Sequence, residues 1–265
     1  MQENIRVHER IKKTEPLGAT NLLEGIVPKP VVLYLPPKAQ NAKTPDLLIH
    51  FHGASFVPIK AVDQIENPFV LAAIHLGGGS SVNERPFMDP KVFKDLLDKI
   101  TLKSSKNKLG KIYVSAFSAG YGAVRALLRS HPDQIDGILL LDGLHTDYIP
   151  DGIPLAKGSR LNTEKLKVFL KYARTAVNGN KKILITHSEI FPGTFASLTE
   201  TTDWLLDQLN LKRTPVLQWG PIGMQQIGET SKGQFRVLSF AGNTAPDHVD
   251  HFHGMPYFLK LLVDD

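Results

Sequence analysis

Short apolar runs alternate with stretches of helical spacing along most of this sequence, and this alternation restricts the possible folds more than any other feature. Residues 46–52 and 137–142 form nearly continuous apolar runs, as expected for strands that are covered on both faces. Residues 90–100 and Tyr121–Ser130 instead place their apolar side chains on one face of a helix. The sequence therefore predicts an α/β protein with a mostly parallel, doubly wound sheet flanked by helices.

The predicted strands and helices follow one another in turn. The strands span residues 29–39, 46–52, 69–76, 111–115, 137–142, Lys182–His187 and 235–241, and the helices span residues 90–100, Tyr121–Ser130, 162–177, 199–209 and Met255–Val263. No linker or repeat divides the chain, so residues 1–265 are expected to form one domain. Small inserts near 144–161 and 212–234 interrupt the alternation. The second insert suits either a hairpin on the sheet edge or a wall of a pocket.

The composition excludes several classes of protein. Hydrophobic residues make up 42% of the 265 positions and charged residues 22%, as in folded globular proteins rather than disordered or fibrous ones. The formal charge is +5, but the basic residues are spread along the chain, so no nucleic-acid partner is predicted. No apolar stretch is long enough for a transmembrane helix, and the absence of cysteine excludes disulfides and thiolate-bound metals. The oligomeric state and the compartment stay open, whether cytoplasmic or exported after removal of a signal.

A serine stands in a turn of small residues between the predicted strand 111–115 and the following helix. Ser118 has Ala116 two positions before it and Gly120 two positions after it. A nucleophile elbow holds its nucleophile in a strained turn, which requires small residues at those two positions. With this motif and the order of its strands and helices, nearly the whole chain resembles the α/β-hydrolase superfamily. The departure is Ala116, because the superfamily usually has glycine there.

A His-Gly loop follows the predicted buried strand 46–52, at a place where the superfamily has such a loop. The resemblance implies that this loop supplies one backbone N–H to an oxyanion hole, from Ala54 or from Gly53, and that Ala119 supplies another. The side chains of His50 and His52 are expected to stay neutral and hydrogen-bonded beneath the loop. A metal site at their i, i+2 spacing is the alternative, but it leaves the serine elbow unexplained.

Three histidines lie in residues 247–254, between the last predicted strand and the last helix. The superfamily has its catalytic histidine in this region, so the resemblance implies that one of them is the general base for Ser118. His248 is ranked first because it lies nearer to the strand, His251 second and His253 third. The alternative is a surface cluster or a patch that binds nickel or zinc.

Two carboxylates at the ends of predicted strands are candidates for the acid that orients this histidine. Asp142 ends the apolar strand 137–142 and precedes a glycine, whereas Glu189 follows the next strand, where most of the superfamily has its acid. Asp142 is preferred, because a carboxylate buried at the end of an apolar strand needs a partner. In the alternative reading, Asp142 only caps the turn that follows it.

Further polar residues are expected at the same edge of the sheet, where open α/β sheets bind their ligands. They are His145, His187 and Ser188, and they either bind substrate or satisfy backbone groups of the loops. Together these residues predict a serine hydrolase that cleaves a small or medium carboxylic ester, in preference to an amide, through an acyl-enzyme intermediate. No metal and no organic cofactor is required. The alternatives are a non-catalytic binding protein of the same fold and a metal-dependent hydrolase built on histidines.

Overall fold

A ten-stranded sheet lies at the centre of the computed structural model, which describes residues 8–106 and 108–264. A separate pair of two-residue strands lies outside this sheet. In chain order the strands are β1 (Ala19–Leu23), β2 (Val31–Leu35), β3 (Asp46–Phe51), β4 (Phe69–Ile74), β5 (Ile112–Phe117), β6 (Gly137–Leu141), β7 (Tyr148–Ile149), β8 (Arg160–Leu161), β9 (Lys182–His187), β10 (Thr214–Trp219), β11 (Gln225–Lys232) and β12 (Phe235–Phe240).

Helices connect most of these strands. They are α1 (Pro37–Asn41), α2 (Phe56–Gln64), α3 (Ser80–Glu84), α4 (Pro90–Lys103), α5 (Tyr121–Ser130), α6 (Lys167–Val177), α7 (Leu198–Gln208), α8 (Ala245–His253) and α9 (Met255–Val263). Within residues 8–106 and 108–264, none of the helices combines the length and the apolar character that a membrane crossing requires.

The centre of the sheet is parallel, and both of its edges are antiparallel. The strands lie in the order β1-β2-β4-β3-β5-β6-β9-β12-β11-β10. Neighbouring strands from β4 to β12 run parallel, whereas β2 pairs antiparallel with β4, and β11 pairs antiparallel with β12. The predicted α/β class with a mostly parallel sheet is confirmed, although the sheet as a whole is mixed. Because parallel strands end at one edge, β5, β6 and β9 deliver the residues that follow them to the same place.

Apolar clusters cover both faces of the sheet. Along β3, Leu47, Ile49 and Phe51 belong to the cluster on one face, and Leu48 belongs to the cluster on the other. This follows from the strand geometry, in which successive side chains point to opposite faces. Helices α4, α5, α6 and α7 contribute buried residues to the first cluster, and α2 and α9 contribute to the second. Burial on both faces explains why the central strands are apolar at nearly every position.

Several elements differ from the predicted ones, for local reasons. The strand predicted at 29–39 ends at Leu35, and α1 follows from Pro37, whose fixed φ suits the first turn of a helix. The histidine segment expected before the last helix is itself helical in α8, which begins with a capping box between Thr244 and Asp247. The insert near 212–234 forms the hairpin of β10 and β11 at the sheet edge, the first of its two expected forms.

Candidate active site

Ser118 occupies a strained turn between β5 and α5. Its φ of 47° lies in the left-handed region, which a residue with a side chain seldom adopts. Gly120 is required at this turn, because a Cβ on it would lie 2.3 Å from the Phe51 carbonyl oxygen. Gly143 is also restricted, since its Cβ would lie 2.3 Å from the Ser118 carbonyl oxygen. The loop after β6 is therefore packed directly against the turn that carries Ser118.

Asp142 and His248 form a hydrogen-bonded pair at the carboxyl edge of the sheet. Asp142 follows β6 with a φ of 45° and is 1% exposed, and His248 projects from α8. The two atoms Asp142 Oδ2 and His248 Nδ1 are 2.5 Å apart. A carboxylate can only accept, so Nδ1 of His248 is the donor, and in the neutral ring Nε2 is left as an acceptor. This is the tautomer that a general base requires.

Ser188, which directly follows β9, also binds Asp142. The backbone N–H of Ser188 donates to Oδ1 over 2.7 Å, and its hydroxyl donates to Oδ2 over 2.9 Å. Burial by itself would raise the pKa of Asp142, but the charges of His251 and His248 and the hydrogen bonds from His248 and Ser188 lower it below its ordinary value. Asp142 is therefore ionised at neutral pH.

Two cavities meet at Ser118. The smaller one, of about 310 Å³, also contains His248 and Asp142, and the larger one, of about 360 Å³, contains Ala119 but not His248. Both are lined by Ser118, His145 and Phe195. The remaining residues of the smaller cavity are mainly apolar: Ile190, Pro192, Leu198, Asn243 and Ala245. The remaining residues of the larger cavity are mainly polar: Gly79, Ser80, Tyr121, Thr146 and Asp147.

The loop after β3 turns sharply beside this site. His52 and Gly53 both have positive φ, at 71° and 113°. The Gly53 N–H donates to His75 Nδ1 over 3.1 Å, so the Gly53 amide already has an acceptor. Ala54 comes next and is exposed. Ala119 lies in the short 3₁₀ segment Ser118–Gly120, and the first amides of a helix lack a partner within it.

His50 uses both of its ring nitrogens inside the protein. Its Nε2 donates to the His52 carbonyl oxygen, and its Nδ1 bonds the Ser115 hydroxyl, each over 2.8 Å. Burial lowers the pKa of His50 to about 3, so the ring is neutral. A metal ion at His50 would have to replace these bonds.

The other candidate residues for the base and the acid lie elsewhere. His251 is 1% exposed, with its Nδ1 2.8 Å from the Thr186 hydroxyl and its ring against Phe240 and Phe258. His253 accepts a hydrogen bond from the Ile11 N–H. Glu189 has an exposed side chain, and its backbone N–H binds the Gly242 carbonyl oxygen. His248 thus contacts a candidate acid directly, and that acid is Asp142.

Two of the three polar residues expected at this edge of the sheet, His187 and Ser188, are buried and hydrogen-bonded to groups of the protein. His187 is 2% exposed, and its Nε2 binds Arg213 and the Ser239 hydroxyl. Burial and the charge of Arg213 lower the pKa of His187 to about 4. Ser188 is equally buried, with its hydroxyl turned to Asp142. His145 does line the cavities, together with Phe195, which no motif in the sequence marks as a site residue.

One cluster in the described residues brings potential metal ligands together, and its members do not line the two cavities that contain Ser118. Ligand atoms of His8, Asp247 and Asp250 lie within 4.8 Å of one another. Both carboxylates have other partners, however, since Arg10 binds Asp250, and Asp247 caps α8 through Thr244. A neighbouring guanidinium disfavours a cation, so this cluster does not suit a metal.

Solved structures of several esterases share this architecture. A feruloyl esterase module from Clostridium thermocellum, complexed with sinapinate, is 14% identical, with a TM-score of 0.55 and 98% of each chain covered. The enterobactin esterase from Shigella flexneri is 12% identical, with a TM-score of 0.55, covering 93% of this chain and 59% of that one. An IroE-like serine hydrolase from Shewanella oneidensis is 13% identical, with a TM-score of 0.50, covering 93% of this chain and 82% of that one.

The protein has the α/β-hydrolase fold, so the resemblance inferred from the sequence is confirmed at the level of the fold. Identities of 12–14% define the architecture and not the reaction. No protein-family model matches the sequence, and no curated protein matches it either.

Proposed function

We propose that this protein hydrolyses carboxylic esters through an acyl-enzyme intermediate on Ser118. His248 acts as general base and then as general acid, and Asp142 orients it. The observation that carries this proposal is the 2.5 Å bond between His248 Nδ1 and Asp142 Oδ2, formed at a cavity that also contains Ser118. It is supported by the strained φ of Ser118, which is characteristic of a nucleophile elbow.

The first half of the reaction forms the acyl-enzyme. His248 Nε2 accepts the proton of the Ser118 hydroxyl while Oγ attacks the ester carbonyl carbon, giving a tetrahedral oxyanion. The backbone N–H groups of Ala54 and Ala119 stabilise this oxyanion, each contributing roughly 3–4 kcal/mol to the barrier reduction. The carbon–oxygen bond to the alcohol then breaks, and His248 gives its proton to the departing oxygen.

The second half releases the acid. His248 removes a proton from a water molecule, the hydroxide attacks the acyl carbon, and the bond to Ser118 Oγ breaks as His248 returns the proton to it. Asp142 stays ionised throughout and stabilises the imidazolium form of His248. Every step uses side chains and backbone groups of this chain.

Each of the two cavities accommodates one part of the ester. The departing alcohol receives its proton from His248, so it belongs in the smaller cavity, which contains that histidine. The acyl group then occupies the larger cavity, beside the Ala119 amide. Their volumes of about 310 and 360 Å³ suit a small or medium ester.

A labelling experiment with a matched control tests this function. We expect an active-site fluorophosphonate to modify Ser118, and Ser118→Ala to retain less than about a hundredth of the activity on a nitrophenyl ester. Ser130→Ala is the control, because Ser130 ends the same helix, α5, away from the cavities. Its activity should equal that of the wild type. A Ser118→Ala variant with near-normal turnover would refute the proposal, and absence of both labelling and turnover would favour a non-catalytic binding protein.

A further inference from the structure

His145 is a polar residue next to Ser118 that the proposed mechanism does not use. It lies between the two cavities and lines both of them. Its Nδ1 is 2.9 Å from the carbonyl oxygen of Ala196. Since a carbonyl oxygen can only accept, Nδ1 is the donor, and the other nitrogen of the neutral ring, Nε2, carries a lone pair.

The surroundings of His145 keep its ring neutral and fixed in place. Burial lowers the pKa of His145, against the opposing effects of the Ala196 carbonyl and Asp142. Phe195 contacts the ring edge-to-face with centroids 4.9 Å apart, and Tyr121 contacts it at 5.9 Å. A neutral ring held in this way presents the same acceptor to every molecule that enters the cavities.

Other polar side chains of the larger cavity already have protein partners. The Thr146 hydroxyl donates to the Asn162 carbonyl oxygen over 2.7 Å. Asp147 forms an ion pair with Lys165. For His145 Nε2, the part of the chain that the structure describes supplies no donor. This nitrogen is therefore an acceptor available to a ligand beside the nucleophile.

We propose that His145 Nε2 accepts a hydrogen bond from a hydroxyl group on the acyl part of the substrate, so that the enzyme prefers hydroxylated acyl esters. This inference rests on the proposed ester hydrolysis and on the placement of the acyl group in the larger cavity. The acyl side is favoured because the larger cavity is lined mainly by polar residues, whereas the smaller cavity is lined mainly by apolar ones.

A substrate without the hydroxyl would cover Nε2 and leave it without a donor. The cost of burying an unpaired acceptor is the physical source of selectivity for such a group. One neutral hydrogen bond corresponds to a preference of about tenfold in kcat/KM. His145 would thus determine specificity without taking part in the bond changes.

Isosteric substrate pairs test the inference directly. On the acyl side, the nitrophenyl esters of 3-hydroxybutanoate and 4-hydroxyphenylacetate are compared with those of 3-methylbutanoate and 4-methylphenylacetate. On the alcohol side, 2-hydroxyethyl acetate is compared with propyl acetate. In each pair a methyl group replaces the hydroxyl, so the ratio of kcat/KM values isolates the hydrogen bond. We expect about a tenfold preference for the hydroxyl in at least one acyl pair and none in the alcohol pair.

Variants then assign this preference to His145. His145→Phe keeps a flat ring without an acceptor, and its ratio should fall to about one, whereas His145→Gln keeps an acceptor and should retain part of the preference. His131→Phe is the control, because His131 precedes β6 at the opposite end of that strand from Asp142, and its ratio should equal that of the wild type. Melting temperatures check the folding of each variant.

Several results would overturn the inference. These are a wild-type ratio near one in both acyl pairs, a preference found only in the alcohol pair, and a preference that persists in His145→Phe. If His145→Phe does not fold, His145→Ala replaces it as the variant without an acceptor, and a hydroxyl preference in His145→Ala equal to that of the wild type decides against the inference. Hydrolysis of the nitrophenyl esters of 3-methylbutanoate and 4-methylphenylacetate would support the proposed function even if the hydroxyl preference fails. The absence of any hydrolysis would refute both the function and the preference.

Discussion

At the scale of single residues, the proposed activation of Ser118 depends on the pairing of Asp142 with His248. The carboxylate fixes the proton on His248 Nδ1 and leaves Nε2 free to act as a base. Ser188 contributes to this arrangement, because its backbone N–H holds Asp142 Oδ1 and thereby directs Oδ2 towards the histidine. The Asp142 carboxylate, the proposed acid, thus depends on a neighbouring strand for its orientation.

Replacing this carboxylate by an amide should disable the histidine. In Asp142→Asn, the Ser188 N–H would keep the amide oxygen on its own side, so the amide NH₂ would face His248 and select the opposite tautomer. We expect kcat/KM for a nitrophenyl ester to fall by about 10⁴-fold. Glu189→Gln is the matched comparison, and because Glu189 is exposed its kcat/KM should stay within about threefold of the wild type. A severe loss in Glu189→Gln with normal activity in Asp142→Asn would assign the acid to Glu189.

At the scale of secondary structure, helix α8 determines where His248 lies. The segment before β1 holds this helix through Asp250, which is 0% exposed. Asp250 Oδ1 accepts a hydrogen bond from Arg10 Nε over 3.0 Å, and Asp250 Oδ2 lies 2.5 Å from His8 Nδ1. Arg10 also binds the Pro246 carbonyl oxygen in the first turn of α8. The contacts of residues 8–10 therefore hold in place the helix that carries the candidate base.

Loss of this attachment should reduce both stability and activity. In Arg10→Ala the buried Asp250 carboxylate loses a cationic partner, and we expect the free energy of unfolding to fall by about 3 kcal/mol. The kcat for ester hydrolysis should fall as well, because α8 positions His248. Lys91→Ala serves as the control, since the Lys91–Asp95 pair is exposed and contributes less than about 1 kcal/mol. Denaturant titrations and initial rates measure the two effects. If Arg10→Ala and Lys91→Ala have equal free energies of unfolding and equal kcat values, Arg10 does not hold α8 in place.

At the scale of the whole molecule, parallel pairing brings distant parts of the chain together at one edge. Ser118 follows β5, Asp142 follows β6 and Ser188 follows β9, and these three strands are neighbours in the sheet. His248 reaches the same edge from α8, after β12. The fold therefore explains why residues spread over about half of the chain can form one site.

The sequence is informative where a local pattern has one physical cause. Buried strands are apolar at every position, and the turn around Ser118 needs small residues, so both could be predicted. The role of Ser188 could not, because it depends on the adjacency of β6 and β9. The sequence ranks His248 before His251 but does not decide between them, because the choice depends on the orientation of α8. This helix presents His248 to Asp142 and buries His251 against Thr186. Helix α8 itself was missed because its histidines obscure the apolar period of a helix.

The acyl-enzyme on Ser118 is the central claim, and trapping it is the most direct test. The enzyme is mixed with an excess of a nitrophenyl ester, quenched in acid during turnover, digested and analysed by mass spectrometry. The account predicts that the peptide containing Ser118 gains the mass of the acyl group in place of one hydrogen, and that Ser118→Ala shows no adduct and no turnover. An acyl group on a different residue, or continued turnover by Ser118→Ala, would contradict it.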